Sequence, residues 1–236
     1  MAGARERART ELTAEIVRLA REQVERDGAT NLSLRAIARD LGMVSSAVYR
    51  YFSSRDELLT RLIIDSYERL GAAAEAADAA VRRSDHRGRW RAIAHAIRDW
   101  AIANPSEYAL LFGTPVPGYA APQDTIAPAS RYTLVLLNLL ADVEAAGGRA
   151  AGRLAPPLKR DLAKVRATVG LAVDEPLMAH GMAAWAALMG AINLELFGHL
   201  HNVVDTPGAL FDLVVEQEAE RLFAGTTVAR RTSNRA

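Results

Sequence analysis

The sequence predicts an all-α protein, and three observations carry that prediction. Apolar residues recur at three- and four-residue spacing along the chain, no stretch alternates convincingly with period two, and prolines and glycines stand where helices would start and stop. With 236 residues, half of them apolar, the chain can build one large domain or a small domain plus a larger one, and wholesale disorder is not expected. Net charge is +1 and there is no cysteine. Disulfides, thiolate zinc sites and thiol nucleophiles are thereby excluded, a composition that suits a reducing cytoplasm. The N-terminal MAGARERARTEL lacks the apolar run of a signal peptide.

Leu12, Ile16, Leu19, Ala20 and Gln23–Val24 form one stripe, so a first helix is expected from about Thr10 to Asp27, ended by Gly28. Ser33 caps a second, short helix in which Leu34, Ile37, Ala38 and Leu41 share a face. Gly42 supplies a sharp turn with positive φ. A third short helix runs from Val44 or Ser45 to about Tyr51. Ser54-Arg55-Asp56-Glu57 then reads as a capping box, opening a long helix through Leu58, Leu59, Leu62, Ile63 and Leu70 that fades near Ala80.

Arg82–Gly88 is a polar connection, followed by a helix from Trp90 to Ala103. Asn104 is the expected cap of the next helix, with Pro105 at its first position and Glu107 closing a second box. Pro115, Pro117, Pro122 and Pro128 make Gly113–Pro128 a loop. Ala129–Ala146 is helical up to Gly147-Gly148, and Pro156-Pro157 open a short helix to about Thr168. Two long helices, Glu175–His201 and Pro207–Ala224, finish the fold before a polar tail.

Function is concentrated between Ser33 and Phe52. Two short helices around a glycine turn are a helix-turn-helix. On the second of them Ala47, Val48, Tyr51 and Phe52 share the inner side, whereas Ser45, Ser46, Tyr49 and Arg50 face outward. Between Ser33 and Arg55 four arginines (Arg35, Arg39, Arg50, Arg55) stand against Asp40 alone, and Arg5, Arg7 and Arg9 stand against Glu6. A locally basic module on a near-neutral chain predicts a polyanion-binding face. Small hydroxyls at the start of the outward face let the helix sit deep in a major groove, with a guanidinium in reach of base edges and phosphates.

These residues resemble the TetR family of regulators over about Thr10–Leu70: a capped helix 2, a Gly-x-x turn, a Tyr-x-x-Phe ending and a capped helix 4. The resemblance implies a three-helix DNA-binding domain, residues 1–57, with helix 4 leading from residue 55 into an all-helical ligand-binding and dimerisation domain, residues 58–225, and a tail over 226–236. It implies a base or phosphate contact for Arg35, base reading by Ser45, Ser46 and Arg50, and phosphate contacts for Ser33, Tyr49 and Arg55. Val44 stands where the family often has serine or threonine, so a hydroxyl cap on helix 3 is missing at a position beside the first major-groove contact.

The C-terminal half is similar to the TetR subgroup named for a Trp-His-Gly trio. The similarity rests on Trp100-Ala101, Asn104-Pro105, Tyr108–Phe112, Trp185–Gly190 and Leu194–His199, with Met189 at the histidine position. Two roles are expected there. Trp100, Tyr108, Phe112, Tyr132, Met178, Met182 and Trp185 are candidates to line an adaptable apolar pocket for a small-molecule effector. Leu188, Ile192, Phe211, Val214, Val215 and Leu222 are candidates for a four-helix dimer interface in a homodimer, with Ala184, Ala187, Gly190 and Ala191 allowing close approach. Leu177–Leu194 contains no Asp, Glu, Lys or Arg, which reaches the lower length limit for a membrane span, but His180, Asn193 and the missing basic flanks favour a buried interface helix and no membrane.

No metal is expected: His199 and His201 at i, i+2 point apart on a helix, and His95 and His180 have no partner at ligand spacing. Nucleophile elbow, His-Glu-x-x-His and phosphate loop are all missing, so neither a cofactor nor an enzymatic activity is expected. A helix-turn-helix protein without an effector is the nearest competing reading.

Overall fold

The computed structural model describes residues 3–150 and 152–223; the expected tail and Ala224 lie outside them. The helices are α1 (Ala4–Asp27), α2 (Leu34–Asp40), α3 (Ser45–Val48), α4 (Arg55–Ala79), α5 (His86–Ala103), α6 (Pro105–Phe112), α7 (Ile126–Ala145), α8 (Pro156–Val169), α9 (Glu175–Leu196) and α10 (Pro207–Phe223), with 3-10 turns at Ala29–Asn31 and Gln123–Thr125. Among the described residues there is no strand, so the all-α expectation holds. The chain forms two compact units. The first holds the residues up to Leu70 together with Ala103–Arg131; the second holds Gly71–Ile102 and the chain from Tyr132 onward. This grouping differs from the linear division at residue 57, because α6 and the loop after it pack with the N-terminal helices.

In the first unit Ile16, Val17, Ala20 and Val24 of α1 meet Leu34, Ile37 and Ala38 of α2, Val48 of α3 and Leu58, Leu59 and Leu62 of α4. The apolar stripe predicted this face of α1 but not its start. The helix begins at Ala4, since alanine and arginine favour helix without burying anything and Glu6 sits in the first turn. Ser33 Oγ accepts from the Ala36 amide at 3.4 Å, capping α2. At the other end Gly42 takes φ +66°, the Met43 amide donates to the Ala38 carbonyl at 2.8 Å and the Gly42 amide to Arg39 at 3.0 Å. Those two crossed bonds form a Schellman turn, which sets the direction in which α3 leaves.

Both capping boxes differ from expectation. At α4 the Glu57 amide donates to Ser54 Oγ at 3.1 Å, but the Glu57 carboxylate reaches past Ser54 to accept the Ser53 amide and hydroxyl at 2.6 and 2.7 Å. At α6 Asn104 makes no side-chain cap. Glu107 is instead buried, 2.8 Å from Ser66 Oγ, and paired with Arg69 and, at 3.2 Å, with Arg21. Two guanidiniums stabilise that carboxylate more than one amide would. Helix α7 begins at Ile126 rather than after Pro128, because a proline in the first helical turn removes an amide that has no intrahelical partner.

In the second unit Trp90, Ile93 and Ile97 of α5, Leu139 and Val143 of α7, Leu177, Leu188 and Ile192 of α9, and Phe211, Val215 and Leu222 of α10 form the core. Helix α9 packs chiefly on α10 and then α8. It is long and apolar enough to cross a bilayer by length and composition, yet one flank lies in this core. It ends at Leu196, not His201: Gly198 and Asn202 take positive φ, so His199 and His201 lie in turns and not on a helix. Arg89 is 0% exposed and bonds Asp78 through Nε at 2.7 Å and Nη2 at 3.2 Å, and Asp142 through Nη1 at 2.7 Å. Arg83 pairs with the same two aspartates. Burial works against the charge on Asp78, but the hydrogen bonds from Arg89 and Arg83 prevail and hold its pKa below the usual carboxylate value.

Candidate DNA-binding surface and ligand cavity

The turn at Gly42 presents one row of side chains on the outside of α2 and α3. Arg35, Ser46 and Arg50 are exposed, Tyr49 is 42% exposed, and Val44 stands out at 72%. Ser45 is half-buried. Arg35 and Arg50 have no ion-pair partner among the described residues, so both are positive donors facing solvent. Inside, Val48 and Phe52 are buried and Ala47 and Tyr51 half-buried, which is the face division expected from helical spacing. Val44 makes no side-chain cap, so α3 starts without one. Arg39, 80% exposed and 3.8 Å from Asp40, adds a further outward cation.

Two expected phosphate contacts are placed differently. Arg55 turns back onto the 3-10 turn after α1, its Nη2 donating to the Ala29 and Thr30 carbonyls at 3.0 and 3.1 Å. It braces the start of α4 against that turn and does not project as a free donor. Ser33 is half-buried, its hydroxyl occupied by the cap and its amide donating to Gln23 Oε1 at 3.1 Å. The guanidinium of Arg9 lies 5.9 Å from the Tyr51 ring centroid, so α1 carries cationic charge toward the same module.

The second unit encloses a cavity of about 210 Å³. Its walls are Trp90 of α5, Leu136, Leu137, Leu139 and Leu140 of α7, Met178 and Trp185 of α9 and Leu222 of α10, with Thr133 the polar exception beside the indoles. Val165 of α8 and Met182 of α9, 41% and 48% exposed, stand at its mouth. Gly181 is also part of the wall, and a Cβ there would collide with the Leu140 side chain. Of the expected pocket residues, Met178, Met182 and Trp185 come together here. The other four do not. Tyr108 and Phe112 belong to the first unit, where their rings pack at 4.9 Å and Tyr67 meets Phe112 edge-on at 6.0 Å. Trp100 and Tyr132 are buried core outside the cavity wall. The leucines of α7 were missed in the sequence. The signal was there: a helix apolar all round, LVLLNLL, has more faces to cover than one core needs.

The expected dimer residues are also redistributed. Leu188, Ile192, Phe211, Val215 and Leu222 are between 0 and 4% exposed within one chain, so pairing two copies cannot bury them further. They are core; Val214 alone is half-buried. The exposed apolar positions of the same two helices are Met182, Ala183, Ala186 and Leu194 of α9 and Ala209 and Leu213 of α10.

Comparison with known proteins gives two family matches along the chain. Residues 16–62 match the family described as "Bacterial regulatory proteins, tetR family", and residues 90–217 match "Tetracyclin repressor-like, C-terminal domain". The HTH-type transcriptional regulators Rv1816 of Mycobacterium tuberculosis and Mb1846 of Mycobacterium bovis are each 44% identical over 219 residues, covering 89% of this chain and 92% of theirs. The crystal structure of the protein SCO4313 superposes with a TM-score of 0.75 at 34% identity, over 92% of this chain and 98% of that one. PfmR from Thermus thermophilus, at 20% identity and a TM-score of 0.55 over 85% and 97% of the two chains, shares the fold. The chain belongs to the TetR family of helix-turn-helix transcriptional regulators.

Proposed function

We propose that this regulator is a homodimeric repressor that leaves a palindromic operator when a small, largely apolar molecule fills the cavity of its second unit. The observation that carries the reading is the exposed row Arg35, Val44, Ser46, Tyr49 and Arg50, two of whose members are guanidiniums with no ion-pair partner among the described residues. Tyr49 grips a phosphate, Ser46 and Arg50 read base edges, Ser45 sits at the rim, and Val44 offers an apolar contact of the kind thymine methyls accept. In functional terms residues 1–57 read the operator and 58–225 bind effector and partner.

Two copies must meet major grooves ~34–36 Å apart, so an effector that favours a form with a different separation weakens both contacts together. A coupling of about 1–3 kcal/mol relieves repression roughly 5- to 150-fold. The outward apolar flanks of α9 and α10 form the dimer face, and the exposed side of α9 meets a second copy rather than lipid. Acting on operator DNA places the protein in the cytoplasm, working without cofactor or metal and not as an enzyme. Trp185 and Gly190 flanking Met189 support a relationship to the Trp-His-Gly subgroup.

Mobility-shift titration against the DNA upstream of the gene and a scrambled duplex tests the reading. Tyr49→Ala weakens binding to both duplexes alike, whereas Arg50→Ala also narrows the gap between them. Unchanged binding by both variants ends it.

A further inference from the structure

The mouth of the cavity opens onto the face of α9 that a single chain leaves bare. Met182 belongs to both. It stands at the mouth beside Val165, and it begins the outward row Met182, Ala186, Gly190 and Leu194, set at four-residue steps along the helix. Only a third of the most apolar stretch of α9 is buried within the chain. Gly190 is an independent sign that something covers the rest. A Cβ built there meets nothing within 4 Å, so no contact inside the chain calls for glycine, although glycine weakens a helix interior relative to alanine. The missing side chain leaves room for a close approach from outside.

Charge says what approaches. Helices α8 and α10 both pack on α9. Exposed on α8 are Lys159, Arg160, Lys164 and Arg166 against Asp161, whereas α10 exposes Asp212 and Glu220, its only arginine, Arg221, being paired with Glu218. A two-fold pairing that sets α8 of one copy against α10 of the other joins opposite charges at both rims of an uncharged centre. An anionic lipid surface would be repelled by α10.

We propose that a second copy of the chain completes the effector site: its apolar face lies over the mouth at Val165 and Met182, so the effector is fully enclosed only in the dimer. This rests on the cavity being the effector site and on the outward face of α9 being the dimer face. The effector therefore binds the dimer more tightly than the separated chain, and by reciprocity it tightens the dimer by the same factor for each cavity filled. Entry and exit wait for the two copies to part at this face. Release from the operator is then the act of an intact dimer with altered separation, not of a dimer that falls apart. Covering about 30–50 Å² of ligand surface left bare at the mouth corresponds to a gain of roughly 3- to 10-fold per cavity, and to about 10- to 100-fold in the dimer dissociation constant with both filled.

The test uses p-xylene on the full-length protein, a neutral ring somewhat larger than the benzene that a ~150 Å³ apolar cavity takes up, against about 210 Å³ here. Sedimentation gives the dimer dissociation constant with and without saturating p-xylene, and the expected result is the roughly 10- to 100-fold decrease. Where the wild-type dimer is too tight to dissociate, Leu213→Glu, outside the cavity wall, brings it into range. Calorimetry then compares p-xylene binding to the wild-type dimer and to Ala186→Arg, which sets a charge in the outward row at an exposed position outside the wall. Affinity falls roughly 3- to 10-fold in that monomer. Equal binding by dimer and monomer, or a dimer that p-xylene leaves unchanged or loosens, overturns the proposal while leaving the cavity as the effector site. A wild type that sediments as a monomer, or Ala186→Arg pairing as tightly as the wild type, removes this face as the interface and the proposal with it. Failure of p-xylene to bind the wild type overturns the cavity reading and the proposal together.

Discussion

Replacing Arg89 by methionine tests whether the second unit depends on its buried ionic network. Arg89 is fully buried and makes three bonds to two aspartates, joining the end of α4, the start of α5 and α7. Methionine fills much of the same volume but leaves the Asp78 carboxylate, whose side chain is only 12% exposed, with Arg83 as its remaining cation. Breaking a buried pair by removing one partner costs about 3–5 kcal/mol. Asp142 is 42% exposed and can turn to water, and Arg83 stays, so the lower end applies, about 3 kcal/mol. For a chain of this length that lowers the melting temperature by roughly 6–12 °C, read by circular dichroism at fixed protein concentration. Adding Asp78→Leu removes the stranded charge and recovers most of the loss. A fall of under about 2 °C in the single variant, or a double variant no better than the sum of the two singles, refutes the reasoning.

Three further outcomes are expected of the folded protein. Leu213→Glu places a charge on the outward face of α10, where the leucine is 53% exposed in the single chain. Losing its remaining burial in both copies costs about 1.5–3 kcal/mol and weakens the dimer roughly ten- to a hundredfold by sedimentation; an unchanged dimer moves the interface elsewhere. Gly42→Ala forces a Cβ into φ +66° and destabilises the first unit by about 1–2 kcal/mol in urea, with no steric clash to blame because the space around it is open. Stability falls in two steps with acid. Burial and the Arg89 charge depress the His86 pKa, so the unfolded chain binds that proton more readily and stability drops as pH falls through 6.5. The depressed Asp78 contributes stability above 3.8 that is lost at lower pH. His86→Gln flattens the upper step only, and an upper step that persists in that variant assigns it to another group.

Local rules carried the sequence reading furthest where a helix had one face to hide. The α1 stripe, the Ser33 cap, Gly42 and the inner side of α3 could all be read from spacing, because each depends on neighbours within a few residues. What spacing does not contain is which of several apolar faces a helix turns inward. Leu188 and Val215 have the character of interface residues and are core, whereas Leu213, two positions before Val215, points out. Tyr108 and Phe112 were natural pocket candidates by type, yet α6 packs with the N-terminal helices, a choice made by long-range contacts such as Glu107 with Arg21 and Arg69. Arg55 and Arg89 were beyond reach for the same reason. A guanidinium in the sequence is equally suited to a phosphate, an exposed carboxylate or a buried network, and only the fold decides.

The brevity of α3 has a thermodynamic consequence. Uncapped, and continued past Val48 only by turn bonds from the Arg50, Tyr51 and Phe52 amides to Ala47 and Val48, it is below the length at which a helix persists on its own. Its order is lent by α2 and α4. Docking on a duplex therefore does part of the work of completing it, and calorimetry of operator binding will register a heat-capacity decrease larger than rigid surfaces of that area would produce. A reading edge built this way trades some affinity for the freedom to settle on unequal half-sites.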